Sequence, residues 1–198
     1  MRNSLQKRTW AEVSLDNISH NYRAIRAALP EGCRFLGVVK ADAYGHGAVP
    51  ISRHLCELGA DYLAVSCLDE AMELRSAGIT MPLLILGHTP SEYTETLIDN
   101  DITQTVSCLA KAQEFSARAA ALGRQLRIHI KIDTGMGRIG FAVRSGFEET
   151  IHELEALYTL PGLDICGVFQ HFAVADSNTP ADTAYTDEQH ALFARVVA

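Results

Sequence analysis

Residues 126–140 read Leu126-Arg127-Ile128-His129-Ile130-Lys131-Ile132-Asp133-Thr134-Gly135-Met136-Gly137-Arg138-Ile139-Gly140. The first eight alternate strictly, with Leu126, Ile128, Ile130 and Ile132 on one face of a strand and Arg127, His129, Lys131 and Asp133 on the other. Strands of a parallel sheet are usually covered on both faces, so four polar side chains in a row imply a polar interior. The plainer alternative is an edge strand with one wet face. The glycines that follow also spell G-x-G-x-x-G, the pattern of a dinucleotide-binding turn, with Glu153 and Glu155 roughly where a ribose-binding acid would be sought. Such a fingerprint normally follows an apolar strand and opens directly into a helix, whereas this strand is half polar and this loop carries Arg138. A dinucleotide-binding oxidoreductase is therefore kept as the weaker alternative.

Outward from this strand, short β-branched or aliphatic runs recur at 35–39, 62–65, 83–86, 103–106 and 163–169, after a strand-like start at 9–13. Helical patterns fall between them, at 15–29, 48–58, 69–77, 91–98, 109–122 and 146–158. Strand and helix in this alternation make an α/β fold, a parallel sheet with helical crossovers. A (β/α)8 TIM-like barrel is preferred over a doubly wound sheet, although six βα units are found where a barrel of ~250 residues has eight. The segment 186–198 opens with a capping-box pattern, Thr186 and Gln189, and runs into apolar residues with no Gly, Asn or Pro stop. The expectation is one truncated domain over 1–198, the N-terminal portion of a longer protein.

The net charge is −7, from 17 Lys+Arg against 24 Asp+Glu. It sits in the last 60 or so residues, where Arg144 and Arg195 face nine acids. Without a basic stripe, neither nucleic-acid nor anionic-membrane binding is expected. Apolar runs are strand-sized and no signal core follows Met1, which points to a cytoplasmic protein. Five cysteines without a C-x-x-C suggest reduced, mostly buried thiols, and no grouping has metal-ligand spacing.

Lys40 ends the run at 35–39 and precedes Ala41-Asp42-Ala43-Tyr44-Gly45-His46-Gly47. A lysine at the carboxyl end of a buried strand stands where barrels place catalytic groups, and an amine there can act as a nucleophile toward carbonyls. The plain alternative is a solvated lysine before a Gly turn. His171 ends the run at 163–169 in the same way; alone, a strand-end histidine is more often structural.

Taken together, Val38-Val39-Lys40-Ala41-Asp42-Ala43-Tyr44-Gly45-His46-Gly47, the segment Lys131 to Gly140, and His171-Phe172-Ala173 closely resemble the signature segments of alanine racemases in order and spacing. The resemblance implies that Lys40 holds pyridoxal 5′-phosphate through a Schiff base and serves as the base on one face of the substrate Cα, in two-base racemisation of L- and D-alanine for cell-wall precursor (peptidoglycan) supply. It implies that Tyr44 helps hold the cofactor phosphate and that His171 lies beneath the pyridine ring. Arg138 would contact the cofactor phenolic oxygen and the substrate carboxylate. Lys131 would be carbamylated and orient Arg138, or else stay an ammonium paired with Asp133. Met136 would face the active site of a partner subunit in a homodimer, close to substrate. The second base, a tyrosine given by the partner, and the main phosphate loop would lie outside this chain, and residues 1–13 would supply a strand of a C-terminal β-domain absent from it. A non-catalytic fragment, a cofactor-binding barrel without turnover and a serine/alanine racemase are the alternatives, and no metal is expected.

Overall fold

The computed structural model describes residues 9–198. They fall into two compact units, divided after Pro82.

In the first unit, α1 (Leu15–Ala28) starts at Ser14, whose hydroxyl accepts the Asn17 N–H at 3.2 Å. Its buried Tyr22 meets Phe35 edge-on, with ring centroids 4.9 Å apart. β1 (Leu36–Val38) pairs in parallel with β2 (Tyr62–Val65), Gly37 opposite Leu63. The crossover between them contains a short turn, α2 (Lys40–Gly45), and the helix α3 (Ala48–Glu57); α4 (Leu68–Ser76) follows β2. Leu63, Ala64, Val65, Ala71 and Leu74 have no exposed surface, and each large side chain so buried contributes roughly 1.5–3 kcal/mol. The strand expected at 9–13 does not form: a strand exists through a ladder partner, and none is present among the described residues. Residues 1–8, expected to share that strand, lie outside the described ones.

In the second unit, β3 (Leu83–Ile85), β4 (Ile102–Val106) and β5 (Leu126–Asp133) pair in parallel in that order. β7 (Leu163–Phe169) lies parallel on the other side of β5, and the two-residue β6 (Phe141–Ala142) pairs with the end of β5. Being paired on both sides, β5 is an interior strand, which removes the edge-strand reading of its polar face. Its apolar face, Leu126, Ile128, Ile130 and Ile132, is at most 1% exposed. The connections are α5 (Thr94–Asp99), α6 (Leu109–Ala121) and α7 (Phe147–Tyr158), closed by α8 (Pro180–Val197). The single helix expected at 91–98 is split, a 3-10 turn over Ser91–Tyr93 leading into α5.

Two local expectations are corrected. α8 begins at Pro180, with Thr179 accepting the Asp182 N–H at 3.2 Å, so Thr186 and Gln189 lie inside the helix instead of forming a capping box. The five cysteines are free, but Cys33, Cys108 and Cys166 are exposed and the other two half-buried. Cys67 and Cys108 occupy the N-cap positions of α4 and α6, where the side chain leaves the sheet before the helix covers it. Among the described residues no helix is long and apolar enough to cross a membrane, and no cluster of His, Cys, Asp and Glu could hold a metal ion.

Candidate functional site

The buried Val39 follows β1, and Lys40 opens a turn of opposite hand. Ala41, Asp42, Ala43 and Tyr44 all have φ between 51° and 55° with ψ between 36° and 51°, a complete left-handed helical turn without glycine. Left-handed backbone costs about 1–2 kcal/mol per non-glycine residue, so roughly 4–8 kcal/mol is stored here. The surroundings hold it in place. The Ala43 N–H donates to Val39 O at 2.9 Å, the Gly47 N–H to Asp42 O at 2.9 Å, and the Ala48 N–H to the Asp42 carboxylate at 2.6 Å. The Ala41 N–H donates to Glu70 on α4 at 2.8 Å. Burial alone would raise the Glu70 carboxyl, but the N–H groups of Ser66 and Ala41, the Ser66 hydroxyl and the charge of Lys40 outweigh it and hold it below its ordinary range. Strain fixed in this way is characteristic of ligand-binding turns. Its product is a presented Lys40, with Nζ 5.9 Å from the ring centroid of the exposed Tyr44.

In the second unit, Lys131, Asp133, Met136, Arg138 and His171 line one narrow cleft with no room for a water molecule. Asp133 organises its loop: Oδ1 accepts the N–H groups of Gly135 and Gly137 at 2.9 and 3.0 Å, and Oδ2 that of Arg138 at 2.9 Å. Burial pushes the Asp133 carboxyl up, but these N–H groups, with that of Met136, prevail and hold it below the usual carboxylate range. Gly140 closes the loop at φ 133°, and a Cβ there would stand 2.7 Å from the Asp133 nitrogen. The loop runs into β6, not a helix, so the G-x-G-x-x-G reading lacks the helix N-terminus that a pyrophosphate needs.

With both Asp133 oxygens engaged by the loop, the expected Lys131–Asp133 pair does not form. Lys131 is 5% exposed and its Nζ lies 4.6 Å from the Phe169 ring centroid. Burial, then the Arg138 guanidinium, lower its amine to about 8 despite the opposing charge of Asp133. The remaining residues of the polar face are also accounted for. Arg127 reaches Asp101 at 3.2 Å and Asp164 at 4.0 Å, and the imidazole of His129, lowered by burial and by Arg127, tilts against Phe169 at 6.3 Å between centroids.

Sequence reasoning missed three contributors. Glu70 was visible only as an acid in a first helical turn. Tyr185 donates to Gly135 O at 2.7 Å, and Gln189, fully buried, bonds to Thr134, His171 and Ala173. Tyr185 carries no motif, and the capping-box spacing assigns Gln189 to a helix start instead of to a buried amide. Of the expected site residues, the structure groups Lys40 with Tyr44, and groups Lys131, Met136, Arg138 and His171 in the cleft.

The family model described as alanine racemase, N-terminal domain, matches residues 13–198. The chain belongs to the alanine racemase family. It is 47% identical over 180 residues to an alanine racemase of Clostridium perfringens, covering 91% of this chain and 45% of that protein. It is 42% identical over 193 residues to one of Desulfosudis oleivorans, covering 95% and 49%. The solved alanine racemase of Clostridium difficile 630 superposes with a TM-score of 0.88 at 41% identity, covering 98% of this chain and 50% of that one. The chain thus spans about half the length of the curated relatives it matches. The α/β fold of parallel βα units, expected from sequence as part of a TIM-like barrel, is the one shared with these alanine racemases over that half.

The alanine racemase family depends on pyridoxal 5′-phosphate. Taken separately, each unit carries donors that suit part of this group. Lys40 supplies an amine on a fixed turn, and the cleft holds two cations, Lys131 and Arg138, against one carboxylate already satisfied by backbone N–H groups. That balance suits anionic oxygens such as a phenolate or a substrate carboxylate.

Proposed function

We propose that the protein is a pyridoxal-phosphate-dependent alanine racemase, interconverting L- and D-alanine for cell-wall precursor supply, and that this chain is its cofactor-binding barrel domain. Lys40 carries the reading, because a strained turn is maintained for no evident purpose other than to present this amine at the end of β1. When bound, the cofactor supplies an electron sink for the Cα carbanion. Lys40 Nζ holds the cofactor and then takes and returns the Cα proton on the face used for the D-enantiomer. Tyr44 helps hold the phosphate. It does not serve as the second base, because it stands on the same turn with its ring beside Nζ. The opposite face takes a tyrosine from the partner subunit of a homodimer, toward which the Met136 backbone is directed.

Arg138 would supply a cation to the cofactor's phenolic oxygen and to the substrate carboxylate, and His171 would help hold the cofactor. Lys131 is carbamylated: its neutral amine forms a bond to the carbon of carbon dioxide and loses a proton to water. The lowered pKa of about 8 provides that neutral amine near physiological pH. The product carbamate replaces one of two neighbouring cations by an anion, so a repulsive contact with Arg138 becomes an ion pair. The protein works in the cytoplasm, where small amino acids are its substrates.

The test is borohydride reduction of the protein with pyridoxal phosphate, followed by peptide mapping, and alanine in deuterated water. Cofactor mass on Lys40 and solvent deuterium at Cα of alanine are expected. Label on Lys7, Lys111 or Lys131, or exchange of serine in preference to alanine, overturns the assignment of lysine or of substrate.

A further inference from the structure

The loop after β5, with Arg138, and the segment after β7, with His171, are joined by one side chain. Gln189 of α8 has no exposed surface, and its amide is used from both ends. Oε1 accepts the Ala173 N–H at 2.9 Å, while Nε2 donates to His171 O at 3.3 Å and to Thr134 Oγ1 at 3.1 Å. The Thr134 hydroxyl in turn donates a hydrogen bond to Gln170 Oε1 at 3.2 Å. The orientation of the amide is therefore forced, because an N–H faces one end and a carbonyl and an accepting hydroxyl face the other. A turn further toward the helix start, Tyr185 donates to Gly135 O at 2.7 Å, and the Arg144 guanidinium lies 4.7 Å above its ring. Arg144 is held in turn by Glu188 at 3.1 Å.

We propose that Gln189 is a positioning residue for the cleft: its amide sets the spacing between the loop carrying Arg138 and the segment carrying His171, and so the shape offered to the cofactor ring. This rests on the functional reading above. A buried amide bonded to two loops at once is a stricter constraint than packing, since any displacement of one loop strands a donor or acceptor in a dry interior. Glutamate at this position is nearly isosteric, yet as a carboxylate it turns an acceptor toward His171 O. Protonated, it regains one donor.

The experiment compares the protein with Gln189→Leu, Gln189→Glu and Thr134→Val. It reads thermal midpoint, the visible absorption maximum of bound pyridoxal phosphate and its dissociation constant, each relative to wild type at pH 8 and pH 6. Gln189→Leu is expected to weaken the cofactor about tenfold or more and to shift the absorption maximum, with a smaller effect for Thr134→Val. Gln189→Glu is expected to behave like Gln189→Leu at pH 8 and to move toward wild type at pH 6. If Gln189→Leu does not fold, the pH dependence of Gln189→Glu decides. A lowered midpoint with unchanged spectrum and dissociation constant overturns the proposal. If wild type binds no cofactor, the functional reading fails by itself. Amide exchange over 134–138 and 171–173 then decides the positioning role, with faster exchange in all three variants supporting it and unchanged protection overturning it.

Discussion

Asp133 holds the backbone N–H of Arg138, five residues further along the chain, on its own Oδ2 at 2.9 Å. The last residue of a strand thereby determines where its loop turns back, and with it the main chain from which Arg138 projects.

Replacing Asp133 by alanine leaves the N–H groups of Gly135, Gly137 and Arg138 without their acceptor. A loss of roughly 2–3 kcal/mol is expected, confined largely to this loop. Hydrogen exchange at those three amides should rise well before the β5 amides respond.

In protein kept free of carbon dioxide, where Lys131 is unmodified, its lowered amine has a signed consequence for stability. Unfolded, the lysine stays protonated to about 10.5, whereas folded it releases its proton near 8. Between those values the unfolded state binds more protons, so stability rises with pH across the window, on the order of 3 kcal/mol in full. Lys131→Met should flatten this slope in urea titrations from pH 7.5 to 10.5. The carbamate is read separately, as a lysine carbamate signal after labelling with 13C carbon dioxide.

The left-handed turn makes an unusual mutational prediction. Ala41 is exposed at φ 52°, where glycine is free of the penalty that alanine bears. Ala41→Gly should raise stability by about 1 kcal/mol less its unfolded-state entropy, hence leave it unchanged or improved. Ala41→Val should lower it by about 1 kcal/mol or more, since a β-branched residue fits this region worse. Thermal denaturation of the two variants distinguishes a strained turn from an ordinary one, in which the order would reverse.

Gly167 faces the His129 imidazole so closely that a Cβ would come within 2.9 Å of Cε1 and Nε2. Gly167→Ala should cost about 1–3 kcal/mol. Combining it with His129→Ala should recover a good part of that, and the double-mutant cycle measures the contact.

Six of the seven strands were legible as short β-branched or aliphatic runs between polar or glycine-rich turns, and those from 35–39 to 163–169 all form ladders, whereas the two-residue β6 is too short to leave such a signal. Lys40, Lys131, Arg138 and His171 stood out for a related reason, as polar groups where apolar ones were expected. Less legible was whatever depends on geometry without a residue signature. Nothing in Ala41-Asp42-Ala43-Tyr44 marks a left-handed turn, since glycine or asparagine usually signals that conformation. The start of α8 was present in Thr179-Pro180, a cap followed by proline at the first helical position, but the later Thr186–Gln189 spacing imitates the same signal. Gln189 itself cannot be singled out, because a glutamine becomes structural only when two loops arrive at its amide.

β5 forms ladders with β4, β6 and β7, and two of those partners come after it in the chain. On a ribosome adding about 5–20 residues per second, the edge of Leu126–Asp133 that β7 will cover emerges some seconds before β7 does. During that interval a long strand with one apolar face and open N–H and C=O groups is exposed to other nascent chains. The polar face of this strand then has a second benefit beyond the finished protein. Arg127, His129, Lys131 and Asp133 place charge or polarity at every other position, so the waiting edge is a poor template for intermolecular β-pairing, and translation can proceed across the most connected strand of the unit without it becoming a site of aggregation.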